Sequence, residues 1–380
     1  MNGSVLRAPG MPLLLAMTVL GFAGYAALLP VAPLWVVRGG ADAGGAGLVN
    51  GVLMLFTVLT QLLVPGALRR FGWAPVLVAG MVLLGLPATA HLLTDALAPT
   101  LALSAMRGLG FGVLTVTGSA LVAELVPPAR RGTAIGAYGL AIAGPQVLLL
   151  AGAPWIAESV GFWVVFALAG LPILGVVPAV RLARMLDHVP EEQERPPYLS
   201  LLRPMVLLLG VTLAGGALIT FMAQMSSSAT LTVLALLVMS VTAALTRWRV
   251  GSLADRYGPQ RFIWPLVLNT AAGMAIIAWA VRDPQATSAP ALLVGTAVVG
   301  VSYGALQNLT LVVTFASVGR AHYGSASAVW NIGFDAGTGL GSVVVGMVAA
   351  ATSFSAATLA AGALALLTLP LALRRRPRPR

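Results

Sequence analysis

Long runs of apolar residues, separated by short polar or basic segments, make up most of this sequence. A run of roughly 20 apolar residues can cross a bilayer as a helix. The chain contains twelve such runs, at approximately 11–37, 46–68, 75–93, 98–122, 133–156, 162–180, 205–225, 229–249, 262–281, 289–315, 323–349 and 354–373. The pattern predicts an all-α membrane protein with twelve transmembrane helices, some of them broken where Gly and Pro accumulate.

One polar segment, residues 181–204, is longer than the others and has mixed charge and a pair of prolines. Such a composition cannot bury a core and is typical of a linker. Six predicted spans precede it and six follow it. We therefore expect an N-terminal six-helix bundle at residues 1–180, a cytosolic linker at 181–204, and a C-terminal six-helix bundle with a basic tail at 205–380.

A basic, glycine-punctuated segment, GSLADRYGPQR at residues 251–261, follows the eighth predicted span, and a degenerate copy, PGALRRFG at residues 65–72, follows the second. The repeat predicts two pseudo-symmetric halves. Its glycines allow a helix to end and the chain to turn sharply, so both segments are predicted to be turns.

Composition and charge support the membrane assignment and predict its orientation. The chain is 58% hydrophobic and 9% charged, whereas a soluble domain is about a quarter charged. All 22 basic residues are arginines. If the N-terminus is cytosolic, Arg107 lies within the membrane, Arg38 and Arg282 lie outside, and the others, including Arg247, lie on the inner side. The positive-inside rule thus predicts two cytosolic termini. Exclusive use of arginine points to a GC-rich bacterial genome and hence to the cytoplasmic membrane.

Several function classes are disfavoured by the same residues. The net charge of +11 is spread over the inner loops, which argues against a nucleic-acid partner, although the tail can touch anionic lipid. The chain has no cysteine, and His91, His188 and His322 are isolated and predicted to lie in loops. We expect no metal site, no cofactor and no enzymatic activity.

Three motifs carry a resemblance to a known family. Residues 251–258 fit the pattern G-x-L-A-D-R-x-G, LSAMRGLGFG at residues 103–112 fits an intramembrane arginine motif, and Gly139 with Gly144 and Pro145 fits an antiporter signature in the fifth span. In the first-half copy Arg69 stands where the pattern has aspartate. With these motifs the chain resembles a major facilitator superfamily transporter of the drug and metabolite efflux branch over essentially its whole length. The resemblance implies that superfamily's fold, alternating access, proton antiport and a monomer.

Two charged residues within the predicted spans are candidates for proton coupling. Asp335 is the only acid within a predicted span, and Arg107 is a guanidinium at bilayer depth. Placing either charge within the bilayer costs free energy unless the side chain faces a cavity or a partner. The protonation of a carboxyl at that depth depends on whether a cation is near. We predict that Asp335 exchanges the proton and that Arg107 is coupled to it electrostatically. A static hydrogen bond to neighbouring backbone is the alternative role for Asp335.

Helical spacing predicts which polar residues line a cavity. Asn331, Asp335, Thr338 and Ser342 fall on one side of span eleven, while Gly333, Gly337 and Gly341 fall on another side and favour close packing. Polar residues also share one side of span ten. The predicted cavity residues are Asn50, Tyr138, Gln146, Gln224, Tyr303, Gln307, Asn308, Trp330 and Asn331. The predicted cytosolic gate consists of Gly251, Asp255, Arg256, Gly258, Glu124 and Arg131.

These observations leave three hypotheses about function. The first is proton-coupled efflux of a small amphipathic molecule. The second is proton-coupled uptake of a sugar, nucleoside or organic acid, because the same fold supports both directions. The third and most remote is a membrane sensor that transports nothing. The substrate itself does not follow from the residues.

Overall fold

The computed structural model of the chain describes residues 8–126, 131–186, 198–226, 228–283, 286–319 and 322–373. The long apolar segments in these ranges form helices. They are α1 (Met11–Leu28), α2 (Val31–Arg38), α3 (Ala43–Phe71), α4 (Trp73–Thr89), α5 (Leu97–Leu125), α6 (Arg131–Ser159), α7 (Phe162–Ala169), α8 (Val176–Ala183), α9 (Tyr198–Met225), α10 (Ala229–Tyr257), α11 (Gln260–Ala280), α12 (Ala289–Phe315), α13 (Tyr323–Ala351), α14 (Phe354–Leu366) and α15 (Leu369–Leu373).

Twelve segments of the described residues are long and apolar enough to cross a membrane, which confirms the predicted number. Three spans consist of two helices each: α1 with α2, α7 with α8, and α14 with α15. The breaks coincide with Pro30, Pro172 and Pro370, and the second of them is bridged by a 3₁₀ turn, Leu171–Gly175. Proline removes a backbone donor and interrupts the helix, so these breaks follow from the sequence.

The chain divides into two compact units. The first contains residues 1–41 and 52–195, and the second contains residues 42–51 and 196–380. The opening turns of α3 therefore group with the second unit, although they precede most of the first in the sequence. The middle of the predicted linker, residues 187–197, lies outside the described residues.

Glycines set the close approach of helices within each unit. In the second unit, a Cβ on Gly333, Gly337 or Gly341 of α13 would meet the backbone of α9. This confirms the packing predicted for that glycine stripe. In the first unit, Gly108 and Gly112 of α5 lie in the same way against the backbone of α3.

The signature segment at residues 251–261 differs from the prediction. It is not a turn, because residues 251–257 form the last two turns of α10 and only Gly258 and Pro259 leave the helix before α11 begins at Gln260. Gly258 takes a φ of 82°, a backbone conformation suited to glycine, and its N–H donates to the carbonyl of Ala254 at 2.8 Å. The first-half copy behaves alike: α3 continues to Phe71, and Gly72 follows with a φ of 76°.

Candidate functional site

The second unit carries a polar face where α10, α12 and α13 meet, and we call Arg247, Tyr303, Gln307, Asn308 and Asp335 the polar face from here on. Nη1 of Arg247 donates to Oε1 of Gln307 at 3.1 Å, and Nδ2 of Asn308 donates to the backbone carbonyl of Arg247 at 3.0 Å. Tyr303 lies in the electrostatic field of both Arg247 and Asp335. The structure thus brings together a guanidinium, two amides, a phenol and a carboxyl at the depth of the spans.

Asp335 is at the buried edge of this face, with 3% of its surface exposed. Beside it, the ring of Phe334 contacts the rings of Tyr303 and Trp330, with centroids 6.2 and 5.9 Å apart. Nε1 of Trp330 donates to the hydroxyl of Thr310 at 3.1 Å. The aromatic residues therefore connect α12 to α13 next to Asp335 in the sequence.

Arg247 is the residue of this face that is not among the predicted cavity residues. It was counted among the inner-side arginines, but it lies within the eighth span, Ala229–Gly251, four residues before the signature segment. Its side chain is exposed and still hydrogen-bonds to Gln307. A charged group within a span faces protein or a wet cavity, so the position of Arg247 supports the predicted cavity wall. The signal was present in the sequence, since the predicted eighth span, 229–249, already includes Arg247.

Asn50 belongs to the second unit and is connected to the polar stripe of α13. Its Nδ2 donates to Oγ1 of Thr220 at 2.9 Å, and that hydroxyl shares a second hydrogen bond, 2.8 Å long, with Oγ of Ser342. All three side chains are buried. Two turns of helix separate Ser342 from Asp335, so this chain of hydrogen bonds ties α3, α9 and α13 together on one side of the candidate site.

This connection predicts the effect of removing one hydroxyl. We expect Thr220→Val to lower the free energy of unfolding by about 1–2 kcal/mol, because one atom serves both Asn50 and Ser342. The matched control is Thr18→Val, since within the described ranges the buried hydroxyl of Thr18 bonds only to the carbonyl of Leu14 in its own helix. Thermal unfolding in detergent measures both variants. Equal shifts would contradict a structural role for the connection.

The threonines predicted on the same side of span ten are engaged with backbone. Thr296, Thr310 and Thr314 donate to the carbonyls of Leu293, Leu306 and Thr310 at 3.0, 2.6 and 2.7 Å. Threonine in a helix commonly satisfies its hydroxyl in this way. The amides and the carboxyl, not these hydroxyls, are therefore the groups of the second unit that are suited to hold a ligand.

Four further predicted cavity residues do not join the polar face through a hydrogen bond among the described residues. Asn331 is half-buried and donates to the carbonyl of Ser327 at 3.0 Å, within its own helix. Gln224 is half-buried near the end of α9. In the first unit, Gln146 is half-buried in α6, and Tyr138 is buried with its hydroxyl against Gly118 of α5. Their roles as cavity residues stay predictions.

Arg107 lies in α5 of the first unit and is fully buried. None of its three guanidinium nitrogens has a hydrogen-bond partner within the described part of the chain. Tyr25 of α1 lies close enough to act on its charge, and the Tyr25 ring stacks on Phe111 with centroids 3.8 Å apart. The predicted intramembrane position of Arg107 is confirmed, while its coupling to Asp335 stays a prediction.

His91 was predicted to lie in a loop, and that prediction is wrong. It lies in a 3₁₀ turn, Ala90–Leu93, at the end of the third span, and none of its surface is exposed. Its Nδ1 lies 3.0 Å from the carbonyl oxygen of Pro87. The centroid of its ring lies 5.7 Å from that of Phe166. The sequence contains no signal for this burial, because a histidine at the end of an apolar run is equally compatible with a loop.

The predicted gate residues lie near helix ends. Gly251 and Arg256 are in the last turns of α10, where Arg256 is exposed and lies over the ring of Tyr257 at 5.1 Å; Gly258 ends that helix. Glu124 is exposed in the last turn of α5. Asp255 and Arg131 lie in helices, but their side chains are outside what the structure describes. The assignment of these residues to a gate stays a prediction.

Sequence comparison identifies the family to which this architecture belongs. Residues 14–285 and 205–380 match the sequence profile of the Major Facilitator Superfamily. The chain belongs to the major facilitator superfamily. Members of this superfamily are membrane transporters and not enzymes, so the chain is a multi-pass secondary transporter that moves a small-molecule substrate. No curated protein matches the sequence significantly.

Solved structures share the fold over nearly the whole chain. A bacterial homologue of the human lysosomal transporter Spinster is 14% identical, with 98% of this chain and 97% of that chain covered and a TM-score of 0.76. The nucleoside transporter NupG is 14% identical, with 97% of this chain and 100% of that chain covered and a TM-score of 0.69. A D-xylose–proton symporter is 16% identical over 98% of each chain, with a TM-score of 0.72. At these identities the likeness establishes the superfamily's fold and nothing finer.

Proposed function

We propose that this transporter exports a small amphipathic molecule in exchange for protons by alternating access, with Asp335 as the group that binds and releases the proton. The observation that carries the proposal is the carboxyl of Asp335, buried at the depth of the spans and close enough to Tyr303 to act on it, as Arg247 also is. Ionisable residues in such positions are rare and mark ion pathways.

The surroundings of Asp335 provide a physical basis for coupling. A carboxylate in a medium of low dielectric is stabilised by a nearby cation and takes up a proton when that cation moves away. Arg247 of α10 is the cation of the polar face, and Tyr303 of α12 lies in the electrostatic field of both Arg247 and Asp335. On α9, which also packs against α13, Arg203 is engaged with Gln260 and the carbonyl of Leu371. Arg247 is therefore the cation whose position would control the proton on Asp335.

Export is supported by the fifth span. α6 contains Gly139, Gly144 and the internal Pro145, the residues that resemble the antiporter signature. Among the described residues, a Cβ on either glycine would meet nothing within 4 Å. We propose, further, that the protein works as a monomer in the bacterial cytoplasmic membrane with both termini cytosolic. We also propose that Arg107 takes part in proton coupling and that residues at the end of α10 close the cytosolic side.

Uptake by symport is the second candidate function. It is favoured by two of the fold relatives, which are named as a nucleoside transporter and a D-xylose–proton symporter. In that case the polar face would bind the proton together with the cargo instead of alternately with it.

One reconstitution experiment separates these functions. A thermal-shift screen of antibiotics, nucleosides, sugars and amino-acid-derived metabolites first supplies a stabilising compound as cargo. The purified protein is then placed in liposomes that contain the cargo and a pH-sensitive dye. If cargo leaves in exchange for protons, the lumen becomes more acidic. A more alkaline lumen would show symport, and cargo movement without any pH change would contradict proton coupling altogether.

A further inference from the structure

Three polar residues of α5 occupy one face of that helix in the first unit. Thr100, Ser104 and Arg107 are spaced by four and three residues, which places them one above another. All three are fully buried, and neither the two hydroxyls nor the guanidinium nitrogens have a hydrogen-bond partner among the described residues. Leaving a buried polar group unsatisfied costs about 1–3 kcal/mol, and a charged one costs more. Such a set of groups needs a partner from outside the described chain.

The other faces of α5 are occupied by close helix packing. Gly108 and Gly112 lie against the backbone of α3, and Gly110 lies against the backbone of α4. The face of Arg107 is directed toward α1, where Tyr25 stacks on Phe111 and Phe22 contacts both rings. The unsatisfied groups and the three aromatic rings therefore belong to the same side of the helix.

The chemistry of this face selects the ligand. A guanidinium offers five N–H donors and no acceptor, and the two hydroxyls can also donate. Water can satisfy the donors but does not neutralise the charge, which in a low-dielectric site requires an anion. Among the described residues no other arginine acts on this guanidinium, so its charge matches a single negative charge. A carboxylate fits its two-pronged geometry, and the aromatic rings favour an apolar body on the ligand.

We infer that Arg107, Ser104 and Thr100 form a subsite for the carboxylate of the transported molecule, which is accordingly a small monocarboxylate with an apolar body. This inference rests on the proposed transport function and gives it a substrate class. It also explains how Arg107 would take part in proton coupling, because its guanidinium would act through the carboxylate of the bound cargo.

Binding of three matched probes to the purified full-length protein tests the subsite. Benzoate carries the carboxylate, benzamide is its neutral analogue and benzylamine its cationic one. At neutral pH we expect benzoate to raise the unfolding temperature in a saturable way and the other two to have little effect. Equal stabilisation by benzoate and benzamide, or no stabilisation by benzoate, would overturn the inference.

Substitutions assign the binding to these residues. We expect Arg107→Gln to weaken benzoate binding by about 100-fold, because it removes a buried charged hydrogen-bonding partner. Arg107→Lys should give an intermediate loss, since the charge remains without the fork geometry. The double variant Thr100→Val with Ser104→Ala keeps the charge and should weaken benzoate binding about tenfold. This variant tests the subsite if Arg107→Gln does not fold. Arg69→Gln, at an exposed arginine of the same unit, is the control and should bind as the original chain does. Unchanged affinity in both the Arg107→Lys and the double variant would refute the subsite.

The binding measurement needs no proton gradient, so it can fail independently of the proposed function. Absence of benzoate binding in a protein that still exchanges cargo for protons would refute the subsite alone. Arg107-dependent benzoate binding in a protein that moves cargo without protons would refute proton coupling alone.

Discussion

Asp335→Asn is expected to abolish transport driven by a proton gradient while leaving the protein folded. The substitution keeps the size and hydrogen-bonding capacity of the side chain but removes its ability to exchange a proton. Because a positioned proton-transfer group contributes about 10²–10⁴-fold to a rate, we expect gradient-driven transport in liposomes to fall by about 100-fold or more. Exchange of labelled for unlabelled cargo, which needs no net proton movement, should persist.

The matched control for this prediction is Asp95→Asn. Asp95 is an exposed acid between the third and fourth spans, so its loss removes the same charge without touching the polar face. It should transport at the original rate. Gradient-driven transport by Asp335→Asn at the rate of this control would show that another group binds the proton, and unfolding of Asp335→Asn would assign Asp335 a structural role.

Gly304→Ala is expected to cause the largest loss of stability from a single methyl group. A Cβ on Gly304 of α12 would meet the backbone carbonyl and Cα of Ala243 on α10, and backbone cannot move aside as a flexible side chain can. Overpacking of this kind costs about 1–3 kcal/mol, and more where the backbone must shift. The same displacement would separate Arg247 from Gln307. Unfolding in detergent measures the first effect, and gradient-driven transport measures the second.

Gly139→Ala is the control for that substitution. Gly139 also lies inside a helix, α6, but a Cβ there would meet no other described residue within 4 Å. Alanine in a helix interior is more favourable than glycine by about 0.5–1 kcal/mol, so this variant should be as stable as the original chain or more so. If both variants shift the unfolding temperature equally, close approach of α10 and α12 is not what Gly304 provides.

The features that followed from the sequence are those that depend on local pattern alone. The number of spans requires only runs of sufficient length, and the packing of Gly333, Gly337 and Gly341 against α9 follows from their spacing by four. The burial of Asp335 and Arg107 follows from their position inside apolar runs. The family resemblance carried by the motifs agrees with the matched sequence profile.

The features that were missed depend on where a helix ends and on what packs against it. Residues 251–257 carry glycine and charge, which indicated a turn, yet α10 continues through them until Gly258. Arg247 was treated as a topology marker because it lies near the end of an apolar run, and only its bond to Gln307 reveals the polar face. The hydrogen bond from Asn50 to Thr220, 170 residues away, likewise leaves no local signal in the sequence.

The hydrogen bonds of Asn50 have a consequence for biogenesis. The ribosome delivers Asn50 to the bilayer with the second span, while Thr220 and Ser342 arrive with the seventh and the eleventh. Until the seventh span arrives, the Nδ2 group of Asn50 lacks the acceptor on Thr220, and hydrocarbon offers no replacement for that acceptor. The connection from Asn50 through Thr220 to Ser342 can therefore be completed only after span eleven has been synthesised, and a nascent chain that stalls before span seven lacks its first hydrogen bond.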